Sequence, residues 1–102
     1  MATQTSFAVI IKEYYMIGWL AASLAGHDKS KIYIIIEETN DSVVLADGEC
    51  RPLEKPKTKK KKHIQVIKKT MDEELSARLR NGEVCRNEEI KRAIKLYKQR
   101  GE

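Results

Sequence analysis

The chain has 102 residues, of which 41% are hydrophobic and 34% charged, and a formal net charge of +5. That is the size of one domain with one modest core, because a fold this small buries only about two thirds of the surface its unfolded chain exposes. The longest uncharged stretch, Tyr14 to Gly26, is 13 residues, short of the ~20 a membrane span requires. No basic segment precedes it, so no signal peptide is expected and the protein reads as cytoplasmic.

The net charge conceals an asymmetry. Residues 1 to 50 carry 3 basic and 7 acidic side chains, residues 51 to 69 carry 9 and 1, and residues 70 to 102 carry 8 and 7. Nearly all the positive charge therefore lies in one segment, and a block of that kind speaks of phosphate-bearing partners more than of fold. The two cysteines, Cys50 and Cys85, and the two histidines, His27 and His63, match no metal-ligand spacing, so reduced thiols and no metal or other cofactor are expected.

Taken in chain order, residues 1 to 15 form an N-terminal extension that does not decide its own structure. Phe7 to Ile11 suits a strand, yet Phe7, Ile10, Ile11 and Tyr14 also fall at helical spacing. From Ile17 the pattern is β. Trp19 to Leu24 and Ile32 to Ile36 are apolar runs with β-branched and aromatic side chains, separated by the polar tip Gly26-His27-Asp28-Lys29-Ser30-Lys31, which reads as a charged hairpin turn. Glu37 to Asp41 is a second turn, Ser42 to Ala46 a third strand, and Asp47-Gly48 closes it. Three short strands with tight turns point to a small antiparallel barrel or sandwich.

Pro52 and Pro56 exclude a central strand between Glu49 and His63, and the lysines that follow predict an extended basic loop over residues 51–63. His63 to Ile67 alternates as a fourth strand, with Ile64 and Val66 on one face. Thr70 and Glu73 have the spacing of a capping box. Met71, Leu75 and Leu79 then make a helical stripe that Asn81-Gly82 ends, which predicts a helix over 71–80. Asn87 is placed to cap a second helix whose apolar stripe is Ile90, Ala93, Ile94 and Tyr97. Its early Glu88 and Glu89 and late Lys95, Lys98 and Arg100 suit the helix dipole. Residues 70–102 thus predict two helices packed on the barrel or on each other.

The stretch Ile17-Gly18 through Ala25-Gly26-His27-Asp28-Lys29, the Ile-rich strand after it, Val44-Leu45-Ala46-Asp47-Gly48 and Glu54-Lys55-Pro56-Lys57 resemble the KOW-domain RNA-binding proteins of bacteria. These are relatives of a large-subunit ribosomal protein of archaea and eukaryotes. The likeness extends into both C-terminal helices and covers roughly residues 17 to 100. It implies an SH3-like barrel over residues 16–69, ribosomal or other structured RNA as partner, ribosomal proteins as neighbours, and a role in translation. Gly26, Asp28 and Lys29 match the motif. His27 stands where the family usually has Arg, exchanging a permanently charged fork for a weaker donor. Ser30-Lys31 stands where it has Gly-Arg, and Ser30 adds a Cβ to the turn.

The candidate RNA-binding residues are accordingly Gly26, His27, Asp28, Lys29 and Lys31 at the tip, and Lys55, Lys57, Lys59, Lys60, Lys61, Lys62 and His63 in the basic loop. Gly26 and Asp28 would shape the turn, Lys29 and Lys31 reach phosphate, and the loop lysines supply the larger share through counterion release. A solvated loop kept for solubility is the plainer reading of the same run. No aromatic interleaves the lysines, which favours backbone or shape recognition of structured RNA over base stacking. Trp19 and Tyr33 are assigned to the core. No nucleophile-base set, phosphate-cradling Gly loop or carboxylate pair is placeable, so the chain does not read as an enzyme. The alternative is an SH3-like protein-interaction module with an acidic protein partner, and duplex DNA ranks third.

Overall fold

The computed structural model describes residues 16–27, 29–67 and 72–101. The ambiguous segment at 7–11, the turn residue Asp28, and the helix-start residues Thr70 and Met71 lie outside the described residues.

Five strands form one antiparallel sheet in the order β4-β3-β2-β1-β5: β1 (Leu20–Ser23), β2 (Ile32–Glu38), β3 (Ser42–Ala46), β4 (Lys57–Lys60) and β5 (Ile64–Ile67). β4 and β5 occupy opposite ends of that order, yet only the three-residue 3-10 turn Lys61–His63 separates them in the chain. In a flat sheet the two edges would lie about 19 Å apart at ~4.8 Å per strand, and a 3-10 turn advances only about 2 Å per residue. The sheet is therefore rolled into a small barrel. Lys59 shows the closure directly: its Nζ donates to Ser23 Oγ at 2.7 Å and to the Ala25 carbonyl at 2.8 Å, joining β4 to the end of β1 across two intervening strands.

Strand alternation builds two apolar layers. Directly opposed residues share a face, and the pairs Ala21–Tyr33, Ala21–Val66 and Ile35–Leu45 fill the barrel interior together with Val43 and Ile64. Trp19 packs against that interior, and Tyr33 is buried within it. Leu20 and Ile34, one residue out of phase, face the other way and meet Leu75, Ile90, Ala93 and Ile94 from two C-terminal helices. β2 thus buries both faces, which explains why it is an unbroken apolar run rather than an alternating one.

The helices are α1 (Glu73–Arg80) and α2 (Asn87–Gly101). Asp72 caps α1 by accepting from the Leu75 amide at 3.0 Å, so the helix begins two residues later than the 71–80 prediction and on a different cap. Its end matches the expectation: Gly82 N donates to Leu79 O and Glu83 N to Arg78 O, the paired bonds of a Schellman motif. α1 seats on Gly18, where the chain runs at φ +95 and an added Cβ would fall 2.8 Å from Ser76 Cβ. Ser76 Oγ donates to the Gly18 carbonyl at 2.9 Å in that contact. α2 rests on Gly48 through Lys91. Asn87 does not cap its own helix: its Oδ1 accepts from Leu53 N at 2.8 Å and its Nδ2 donates to Glu54. Glu89 takes the reciprocal role, accepting from Arg86 N at 2.9 Å. Neither described helix is long and apolar enough to cross a membrane.

Two further expectations change. β2 continues through Glu37 and Glu38, where the sequence predicts a turn, with an irregularity in register between Ile35 and Glu37. The lysine segment is not one extended loop: residues 57–60 are β4, paired Ser42–Lys60, Val43–Lys59, Val44–Thr58 and Leu45–Lys57, so the strand expected to be the fourth is the fifth.

Candidate nucleic-acid interface

β4 sorts its lysines by side. Lys57 and Lys59 oppose Leu45 and Val43, both buried in the barrel interior, so their stems start on the inner face and both are partly buried. The Lys59 ammonium is held by Ser23 and Ala25 as described. Such inward-pointing charges on an edge strand also discourage pairing with another chain. Thr58 and Lys60 face outward and are exposed.

The 3-10 turn repeats the division. Lys61 Nζ meets Glu38 Oε2 at 2.7 Å, and the Glu38 side chain is only 1% exposed. The other oxygen of Glu38 accepts from Met16 N at 3.0 Å, so this carboxylate is satisfied from two directions. Lys62 and His63 are exposed. Lys60 pairs with Asp41 at 3.3 Å, both side chains more than half exposed. Its hydrogen bond, with that of Ser42, holds the Asp41 carboxyl below its ordinary range. An exposed pair of this kind contributes little, so phosphate can compete for Lys60.

The β1–β2 tip stands beside the turn. Leu24 N donates to His63 O at 2.9 Å, and Ser23 pairs with Ile64. Within the tip, Ser30 N donates to Ser23 O at 2.8 Å and Lys29 N to Gly26 O at 3.3 Å. Gly26 has φ +86 and Ser30 has φ +76: the chain makes the left-handed turn at Ser30 with a residue that carries a Cβ. Gly26, His27, Lys29 and Lys31 are exposed. The structure therefore brings His63, with Lys62 on the same turn, to the side of the tip, while Lys60 lies beside the β2–β3 turn, paired with Asp41. Lys57, Lys59 and Lys61 are placed in partly buried positions, and Lys55 in the loop that Asn87 ties to the start of α2 through Leu53 and Glu54.

On its other flank the tip borders a groove of about 620 Å³ between residues 47–50 and α2, lined by Lys31, Ile32, Asp47, Glu49, Cys50, Glu88, Lys91, Arg92, Ile94, Lys95 and Lys98. Reading the sequence for its lysine run missed the α2 cations. Their spacing, Lys91, Lys95 and Lys98 at i, i+4 and i+7, marks one helix face, whereas the helix-dipole reading concerns Lys95 and Lys98 with Arg100 and does not include Lys91. Among the described residues no group of three or more His, Cys, Asp or Glu is arranged to hold a metal ion.

The fold and this surface define a small five-stranded barrel with two C-terminal helices and an exposed basic border. Against known proteins, no family model matches the chain, and no curated protein matches it.

Proposed function

We propose that this protein binds structured RNA through the phosphate backbone, as a KOW-type SH3-like barrel working with the ribosome or another translation ribonucleoprotein in the cytoplasm. The observation that supports this reading most is the position of Lys60 and Lys62. They are exposed cations fixed on a paired edge strand and on the short turn that follows it, and that turn meets, through His63, a hairpin tip that presents Lys29 and Lys31. Cations held by backbone pairing lose less freedom on binding than cations on a loose loop, so more of their counterion-release free energy remains as affinity. Among the described residues the basic surface offers cations with no aromatic interleaved in the lysine run, which suits backbone and shape recognition. The tip is the minor contributor in this reading, because His27 is a weaker donor than arginine.

Crosslinking in cells, followed by sequencing of the recovered RNA, tests the proposal. Enrichment of structured, chiefly ribosomal RNA is expected. Recovery of a protein partner that survives nuclease treatment, with no RNA above background, would replace it with the acidic-partner reading.

A further inference from the structure

We infer that the outer face of α2 is a third segment of the phosphate track, so that bound RNA runs from the 3-10 turn across the hairpin tip and along the helix. The inference rests on the RNA-binding reading and extends it to residues outside the lysine run. Two observations join the segments. The tip touches the turn on one side through the Leu24–His63 hydrogen bond. On the other side Lys31 lines the same groove as Lys91, Lys95 and Lys98.

Geometry and charge both favour a polyanion here. Lys91, Lys95 and Lys98 lie within two helical turns, and at 1.5 Å per residue they span about 10.5 Å of the axis. A nucleic-acid strand places a phosphate roughly every 3.4 Å of its own axis, so three amines at this spacing can each meet a phosphate of one strand. The floor beneath them is Ile32 and the largely buried Ile94, along which lysine stems can lie while their heads reach the ligand.

The track has an end. Asp47, Glu49 and Glu88 line the groove near the start of α2, and an RNA backbone would be repelled there. The basic band therefore runs along the C-terminal part of α2 toward Lys98, away from Glu88. This polarity distinguishes a directed track from a diffuse positive field, in which the position of an acid would matter little.

The test is a salt titration of RNA binding by the full chain, using a structured RNA and three proteins: wild type, the triple variant Lys91→Gln, Lys95→Gln, Lys98→Gln, and its charge-preserving counterpart with Arg at the same positions. At about 0.7 to 0.9 per released counterion, the glutamine variant should lower the log-log salt slope by roughly two to three and weaken binding at least tenfold. The arginine variant should retain both. Matched circular dichroism and thermal melts verify that the variants are folded, and Glu49→Gln should tighten binding. Wild-type binding with an unchanged slope in the glutamine variant would overturn this inference and leave the RNA-binding reading standing. Absence of wild-type RNA binding would overturn both. Competition by poly-glutamate at equal charge would reassign the face to an acidic protein.

Discussion

Ser30 and Lys61 are two single residues whose cost and worth can be read from their surroundings. Ser30 holds φ +76, where an L-residue with a Cβ pays about 1–2 kcal/mol. Ser30→Gly removes that cost and adds back roughly 0.5–1 kcal/mol of unfolded-chain entropy, so a small net stabilisation and a melting temperature a few degrees higher are expected in a thermal scan. A lower melting temperature would mean that the Ser30 side chain makes a contribution of its own. Lys61→Ala has the opposite sign. It strips one partner from a Glu38 carboxylate that is 1% exposed and that also accepts from the Met16 amide, and should cost about 1.5–3 kcal/mol in urea unfolding. Lys61 stood in the sequence among equals. Nothing in Lys59-Lys60-Lys61-Lys62 says which ammonium is internal, because that depends on where strand pairing stops and the 3-10 turn begins.

At the scale of elements, apolar runs bounded by turn residues made β1, β2 and β3 legible to within a few residues, alternation did so for β5, and the stripes Leu75–Leu79 and Ile90–Tyr97 did the same for the helices. β4 was not legible. Lys-Thr-Lys-Lys has no apolar alternation to announce a strand, and its inner face is built from the Lys57 and Lys59 stems, the Lys59 ammonium capped by hydrogen bonds to Ser23 and Ala25. The α1 cap differs from the expected one because Thr70 and Asp72 are both capping residue types by sequence, and Asp72 is the one that accepts from the Leu75 amide, in a helix seated against Gly18 through Ser76. That seat predicts that Gly18→Ala destabilises the fold by about 1–3 kcal/mol, measurable as a lower urea midpoint, since the added Cβ meets Ser76 and the backbone is left-handed. The link between α1 and α2 predicts a pH dependence. The Arg78 guanidinium, hydrogen-bonded to Glu89, holds that carboxyl below its ordinary range. Because the folded-state value is depressed, this contact contributes stability above the unfolded glutamate value and loses it as pH falls through the depressed folded value. Wild type and Glu89→Gln should therefore converge in melting temperature as the solution is acidified below the ordinary glutamate range, and a gap that stays constant would remove Glu89 titration from the account.

At the scale of the whole molecule, the charge asymmetry along the chain becomes an asymmetry across a surface. Within the segment 51–69, with 9 basic residues against 1 acidic, the fold turns Lys59 and Lys61 inward onto the barrel and leaves Lys60 and Lys62 exposed, and α2 adds more cations on the tip's other flank. The proposed RNA site is thus narrower within the lysine run than the sequence suggested, and wider beyond it. The division was hidden because charge counts carry no direction, whereas strand pairing does.

The most direct test of this account is the salt dependence of RNA binding in two double variants, Lys60→Gln with Lys62→Gln, and Lys57→Gln with Lys59→Gln. The outward pair should lower the log-log slope by roughly 1.4 to 1.8 with an unchanged melting temperature, and the inward pair should lower the melting temperature while leaving the slope of the folded protein near wild type. Equal slopes for the outward pair and the wild type, or a larger loss of slope from the inward pair, would contradict it.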